Sequence, residues 1–472
     1  MITLPTRVKQ IIATLNQTGF EAYAVGGSVR DTLMGRPTKG WDFTTNATPE
    51  EILNLFPDSF YDNQFGTVGI KIYKSSVVSH QSSDEIEDIY EVTTYRSEGG
   101  YTDRRHPDTI AWGKTIEEDL ARRDFTINAI ATNGKTLIDP YDGQKDIKAK
   151  LVRAVRDPKA RFGEDALRMM RAVRLAAELG FMIAEATLAG IKAHAPLLAA
   201  ISMERIRDEL LRTLAAQFAA DGILILKSTG LLKLILPELD EAFGAAQKSP
   251  KRHHIYDVGT HSVMALKYCP SPDPVVRLAT LLHDVGKPKT FRKDQSGIIT
   301  FYNHEVVGVK LVRDIVRRLR LSKKQADLVT TLVRWHQFSV DERQTDAALR
   351  RFIRRVGRDN LEAMLALRTG DRLGGGARDT SWRLELYKKR LVEVQKQPFT
   401  VHDLAVDGHD VMAELGVKPG PVIGKILDQL FEEVEEGKLP NEREALLKRM
   451  RELKSITGKS IISSSFPNDP TK

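Results

Sequence analysis

Histidines crowd one stretch of this 472-residue chain. Six of the 11 histidines, His253, His254, His261, His283, His304 and His336, fall between positions 253 and 336, far more than an even spread would place there. Neutral imidazoles with nearby carboxylates suit Mn, Ni, Fe or Zn, and an open coordination position would activate water against a phosphoester. Taken singly, each histidine reads as a packed or surface residue; their joint spacing is what points to a metal. The only cysteine is Cys269, which excludes an intramolecular disulfide and a thiolate cluster and fits a reducing, cytoplasmic setting.

Two further constellations carry phosphate and base chemistry. Gly26-Gly27-Ser28-Val29-Arg30-Asp31 follows an apolar run. Its glycines would let the backbone approach a triphosphate, with free N–H groups at a helix start and Arg30 as a bidentate cation. The same residues also read as a plain strand-to-helix turn with a solvated arginine. Asp165 and Arg168 stand three apart, so on one helix they would share a face and offer an acceptor beside a fork of donors. Such a pair suits cytosine and adenine, which place an exocyclic amine beside a ring nitrogen, and it would repel the carbonyl of uracil or guanine. An intrahelical ion pair is the alternative.

The elements that must position these residues divide along the chain. Tyr23 to Val25, Thr67 to Tyr73 and Tyr90 to Tyr95 are β-rich and alternate with helical stretches, which predicts a mixed sheet. After Asp157-Pro158 the pattern is helical. The fold class is therefore α+β: a mixed-sheet head at 1–150, a helical neck at 151–244, a histidine-bearing domain at 253–376, a helical tail at 377–459 and a disordered end at 460–472. A polar break at Ala245 to Arg252 and Gly374-Gly375-Gly376 mark two of the boundaries. Arg96 to Ile110 reads as a mobile basic loop. With 41% apolar and 28% charged residues the composition is that of a globular protein, and a formal charge of +8 favours an anionic partner. No window approaches the roughly 18 consecutive apolar residues that span a bilayer, so no membrane contact is expected.

Trp41-Asp42-Phe43-Thr44-Thr45-Asn46, Glu91-Val92-Thr93-Thr94-Tyr95-Arg96 and Arg122-Arg123-Asp124-Phe125-Thr126-Ile127-Asn128-Ala129, in order after the Gly26 to Asp31 motif, resemble the class II tRNA nucleotidyltransferases of the DNA polymerase β superfamily. The resemblance implies template-independent addition of C, C and A to tRNA from CTP and ATP. It implies two magnesium ions on carboxylates, one ion lowering the pKa of the primer hydroxyl and the other holding the triphosphate. Asp42 matches the second carboxylate. Glu91 is the candidate for the third, a solvent-facing strand glutamate being the alternative. Gly27, Arg30 and Arg123 are carried over as triphosphate ligands, Asp165 and Arg168 as the base-selecting pair, and Arg171 and Arg174 as further pocket residues. Phe65-Gly66-Thr67-Val68 stands where the related poly(A) polymerases carry a basic stretch, which favours CCA addition.

The position of the first carboxylate is Gly40, which offers no oxygen. Either this substitution silences an otherwise intact enzyme, or the chain has drifted to binding tRNA without chemistry, or another carboxylate such as Asp31 compensates; the intact remainder favours the first. His283-Asp284 resembles the HD phosphohydrolase signature, with His261 and Asp371 completing the set and His304 and His336 matching the extra histidines of fuller sites. That resemblance implies a transition metal and a second reading in which the HD site acts on cyclic or terminal phosphates of RNA. Val401 to Pro421 resembles the transferases' tail, and Lys418 or Lys425 would contact tRNA phosphates, a plain helix-turn-helix packing unit being the alternative. The oligomeric state is left open.

Overall fold

A computed structural model describes residues 2–38, 40–63, 66–73, 86–99, 109–113, 115–247, 256–377, 381–396 and 401–457. The basic loop is therefore seen only at its two ends, and Phe65, His253, His254, most of the break after Ala245 and the stretch 460–472 lie outside the described residues. The chain falls into two compact units, Met1–His336 with Leu365–Ala377, and Gln337–Met364 with Arg378–Lys472.

The mixed sheet of the head is present. In chain order its elements are α1 (Thr6–Gln17), β1 (Ala22–Val25), α2 (Gly27–Leu33), β2 (Asp42–Thr45), α3 (Pro49–Leu55), β3 (Ser59–Asn63), β4 (Thr67–Tyr73), β5 (Ile86–Thr94), β6 (Arg96–Gly99), β7 (Thr109–Trp112), α4 (Ile116–Ala121), β8 (Ala131–Thr132), β9 (Leu137–Ile138) and α5 (Gly143–Ala149). The seven-stranded sheet runs β3-β4-β5-β2-β1-β8-β9, while β6 and β7 form a separate antiparallel pair. Only β2 and β5 pair in parallel within the large sheet. Side chains alternate across a strand. Phe43, Val68 and Val92 thus enter one core with Val8, Ile12 and Leu15 of α1 and Ile52 of α3. Their neighbours Asp42 and Glu91 point to the other face. A capping box, Thr48 with Glu51, starts α3 beside Pro49.

The neck pairs β10 (Leu151–Val152) with β11 (Met182–Ile183) around α6 (Pro158–Glu164) and α7 (Leu167–Leu179). It continues through α8 (Glu185–His194), α9 (Met203–Ala215), α10 (Ala219–Thr229), α11 (Leu231–Ile235) and α12 (Pro237–Ala242). Helix α7 is buried on nearly all sides, and its close packing needs a glycine: a Cβ on Gly222 would sit 2.8 Å from Thr213 Cγ2 and 3.1 Å from Ala177 Cβ. Arg174 of α7 donates to Glu209 of α9 at 2.6 Å and to Glu178 at 3.0 Å.

The rest of the first unit is α13 (Val258–Tyr268), α14 (Pro274–Leu282), α15 (Lys287–Thr290), the hairpin β12 (Arg292–Lys293) and β13 (Ile299–Thr300), α16 (His304–Arg318) and α17 (Lys323–Trp335). The second unit holds α18 (Asp346–Val356), the start of α19 (Leu361–Gly374), α20 (Trp382–Glu393), α21 (Gly408–Leu415), α22 (Pro421–Glu435) and α23 (Arg443–Thr457). Leu404, Val411, Leu430, Leu446 and Met450 form its core, and Glu435 of α22 takes Arg354 of α18 at 2.7 Å.

Breaking a buried ion pair strands the remaining charge, at a cost of roughly 3–5 kcal/mol. Arg174→Met is expected to lower the unfolding free energy of the first unit by about that amount, measured by urea titration, because Glu209 keeps no equivalent partner; an unchanged midpoint would remove Arg174 from the framework.

Candidate functional site

The row that faces away from the first core begins the site. Val25 lies opposite Asp42, Asp42 opposite Glu91, and Glu91 opposite Gly69, across four adjacent strands. Side chains in one such row share a face of the sheet, with neighbouring strands about 4.8 Å apart. Asp42 and Glu91 therefore stand side by side on the floor of a cavity of about 400 Å³. Gly26 and Gly27 form one wall. At Gly26 φ is +85°, and a Cβ would come 3.2 Å from Arg123 Nη1 and 3.4 Å from Asp42 Oδ2, so the backbone approaches the carboxylate only because this residue is glycine.

Arginines make the other walls: Arg96, Arg122, Arg123, Arg168 and Arg171 all line the cavity. A second layer of acids holds them in place. Asp119, fully buried, receives Arg122 at 2.6 Å and Arg123 at 3.3 Å. Burial alone would raise its carboxyl, but the two guanidiniums outweigh it and keep the pKa below the usual range. Asp124 is likewise buried and held low, against its desolvation, by Arg171 at 2.7 Å and by Arg168. Arg168 donates to Glu164 at 2.6 Å and to the Arg122 carbonyl at 3.2 Å. For Asp42 the balance is reversed: enclosure pushes its carboxyl up, only partly opposed by Arg123.

Several expected residues stand elsewhere. Asp165 and Arg168 do not share a helix. Asp165 has extended backbone (φ −136°, ψ 105°) between α6 and α7, its Oδ1 accepting the Leu167 N–H at 3.0 Å and its Oδ2 facing Arg205 at 3.0 Å. A carboxylate that caps the next helix leaves the helical conformation, which overrides the spacing argument. Arg168 lines the cavity and Asp165 does not. Arg30 is also set back, with its fork on Asp31 at 3.0 Å and on Asn128 at 2.7 Å; it reaches the cavity only through Asn128. Arg174 is turned away into its ion pair with Glu209. Asp31, the possible substitute carboxylate, lines a different hollow with Arg36 and Gln217. Arg122, Asp124 and Asn128 line the cavity without having been assigned a role from sequence; Asp119, three and four residues before the doubled arginine, was the available signal.

The histidine set converges as expected. His261 lies on α13, His283-Asp284 at the end of α14, His304 at the start of α16, His336 just past α17 and Asp371 on α19, all in the first unit. The Nδ1 atoms of His283, His304 and His336 sit 2.7 Å, 2.8 Å and 2.8 Å from the carbonyls of Thr280, Phe301 and Val333. A carbonyl accepts only from a protonated Nδ1, so in the neutral ring Nε2 is the nitrogen that carries the lone pair. Those Nε2 atoms face Asp284: His283 approaches its Oδ2 at 3.2 Å, and His304 and His336 approach its Oδ1 at 3.2 Å and 3.6 Å. His261 Nε2 is 3.1 Å from Asp371 Oδ1.

His261, His283 and Asp371 form one group able to hold an ion, and Asp284, His304 and His336 another. His283 Nε2 is buried with no hydrogen-bond partner. Burial disfavours charge on this ring, yet Asp284 and Asp371 push its pKa up to about 10, so the place attracts positive charge. Lys287, unassigned from sequence, already supplies some, 2.6 Å from Asp284 Oδ2 and 3.0 Å from Gln247.

Known proteins match this chain over most of its length. Residues 22–153 match the family described as Poly A polymerase head domain, 180–243 that described as Probable RNA and SrmB- binding site of polymerase A, and 293–450 that described as tRNA nucleotidyltransferase domain 2 putative. The CCA-adding enzyme of Levilactobacillus brevis is 35% identical, covering 93% of this chain and 96% of its own. That of Geobacillus stearothermophilus is 33% identical over 92% and 94%. The crystal structure of Bacillus stearothermophilus CCA-adding enzyme in complex with CTP aligns with a TM-score of 0.70 at 30% identity, covering 96% of this chain and 98% of that one. The chain belongs to the CCA-adding enzymes, a family of tRNA nucleotidyltransferases.

Proposed function

We propose that this chain completes the 3′ end of tRNA with C, C and A, taking CTP and ATP as substrates and no nucleic-acid template. The observation that carries the reading is the pair Asp42 and Glu91, set side by side beneath five arginines in a cavity of nucleotide size. Relatives described as CCA-adding enzymes over nearly their whole length support it. In this reading 1–150 is the transfer head, 151–244 the neck, 253–376 the HD domain and 377–459 a tRNA-holding tail. The cytoplasm is the proposed location; among the described residues no helix is long and apolar enough to cross a membrane.

The reaction is an in-line displacement. The tRNA 3′-hydroxyl oxygen bonds to the α-phosphorus, the α–β phosphoanhydride bond breaks, pyrophosphate leaves and the hydroxyl proton passes to solvent. Arg122, Arg123 and Arg171 neutralise the triphosphate, with Gly26 and Gly27 admitting it to the strand edge. Nucleotidyltransferases of this family use a divalent metal; magnesium at Asp42 and Glu91 is our assignment, supplying positive charge where the phosphates gather. Arg168 meets the base from the cavity wall, and Asp165, its proposed partner, would have to leave Arg205 to accept the base amine.

A second reading concerns the histidine centre, which we assign to a transition metal (Mn, Ni, Fe or Zn) and to hydrolysis of phosphate at an RNA end. The buried Nε2 of His283, facing both Asp284 and Asp371, and the pre-oriented imidazoles favour it.

Incubated with tRNA lacking its last three nucleotides, the chain is expected to incorporate labelled C and then A; no product after prolonged incubation rejects the transferase reading. Asp165→Asn is expected to narrow the preference for CTP over UTP by about 10-fold or more in equilibrium binding, the worth of a lost bidentate contact. An unaltered ratio takes base selection away from Asp165. For the histidine centre, elemental analysis of the purified protein is expected to find a transition metal that His283→Ala loses while its circular dichroism is retained. Opening of cyclic-phosphate-ended RNA by water, to a terminal phosphomonoester and a free ribose hydroxyl, should fall with that variant and not with Asp42→Ala.

A further inference from the structure

The donor set at the head does not fit the pair of ions that the family resemblance implies. In the pattern that the resemblance implies, two ions sit on carboxylates two residues apart on one strand, and position 40 is glycine. Its backbone is not strand either: φ is +70°, and β2 begins only at Asp42. The Gly40 N–H donates to Asp88 Oδ2 at 3.1 Å.

Among the described residues, three acids near position 40 or the cavity could replace the missing one, and each is otherwise placed. Asp88 is three residues before Glu91 on β5, and odd spacing on a strand sends it to the opposite face. Asp31 has both oxygens on Arg30, at 3.0 Å each, and lines another hollow. Asp124 does line the cavity, but its Oδ1 accepts the Phe125 N–H at 2.9 Å and its Oδ2 faces Arg171 at 2.7 Å. Among the described residues, Asp42 and Glu91 are the carboxylates left on the cavity floor. Nothing in the triphosphate wall depends on Gly40: the glycine turn and the acid-anchored arginines are all present.

The geometry points to a one-ion head, in which Asp42 and Glu91 hold a single divalent ion, nucleotide is bound, and transfer is slow for want of the second anchor. This rests on the nucleotidyltransferase reading and says how this chain departs from it. Space exists for restoring the anchor, since a Cβ at Gly40 would meet no atom within 4 Å, and aspartate is among the side chains that tolerate positive φ.

The test counts manganese by electron paramagnetic resonance, taking the ions gained when a non-hydrolysable CTP analogue is added. Ions at the histidine centre are present before and after and cancel. The chain as it stands should gain one ion, Gly40→Asp two and Gly40→Asn one, the last sharing the backbone strain without the charge. Addition to tRNA lacking its CCA should rise by about 10²–10³-fold in Gly40→Asp alone. A gain of two ions by the unaltered chain overturns the inference whether or not any variant folds, and so does a gain of one by Gly40→Asp with the analogue bound. If neither protein binds the analogue, the nucleotidyltransferase reading itself falls and this inference with it.

Discussion

The parallel pairing of β2 with β5 forces two carboxylates, Asp42 and Glu91, to stand beside each other. Like charges in directly opposed positions weaken a sheet. A protein keeps such a pair only where positive charge is brought to it, and the head does so in layers: carboxylates on the floor, arginines on the walls, and Asp119, Asp124 and Glu164 behind the arginines. The outer acids keep the guanidiniums from spreading into solvent, so the cavity stays open and cationic before any phosphate arrives. This is preorganisation, in which the charge pattern is set by folding rather than by the ligand.

The histidine centre solves the same problem in the opposite way. Its donors are buried, and main-chain carbonyls at the ends of α14 and α17 and just before α16 turn the imidazoles inward. Asp284 presents one oxygen to each group of nitrogens, with Lys287 against one of them. The head is an open site whose counter-charge comes from the arginines on its walls; at the histidine centre the imidazoles are buried and their orientation is built into the helix ends.

Local pattern served well where the function of a residue depends on its own strand or helix. β1, β4 and β5 fall where alternation and β-branched runs place them, and Asp42, Glu91, Arg123, Arg168 and Arg171, carried over from the family resemblance, meet in one cavity. Pattern and resemblance alike fell short where a distant partner decides the matter. Arg174 has Glu209, 35 residues on, and Asp165 has Arg205, 40 residues on. Asp165 also caps α7, a local competitor that a bare three-residue spacing does not reveal.

The amino-acid order alone carried the succession of strands and helices and the absence of a carboxylate at position 40, which follow from residue type and short-range periodicity, while resemblance to the HD signature picked out the six histidine and aspartate residues that the structure brings together. Only the tertiary structure decided which arginines face the cavity and which are turned away, and that neither Asp31 nor Asp88 stands in for the missing acid. Those outcomes depend on strand register and on ion pairs between segments far apart in the chain, where burial makes an unpaired charge so costly that partner choice overrides local preference.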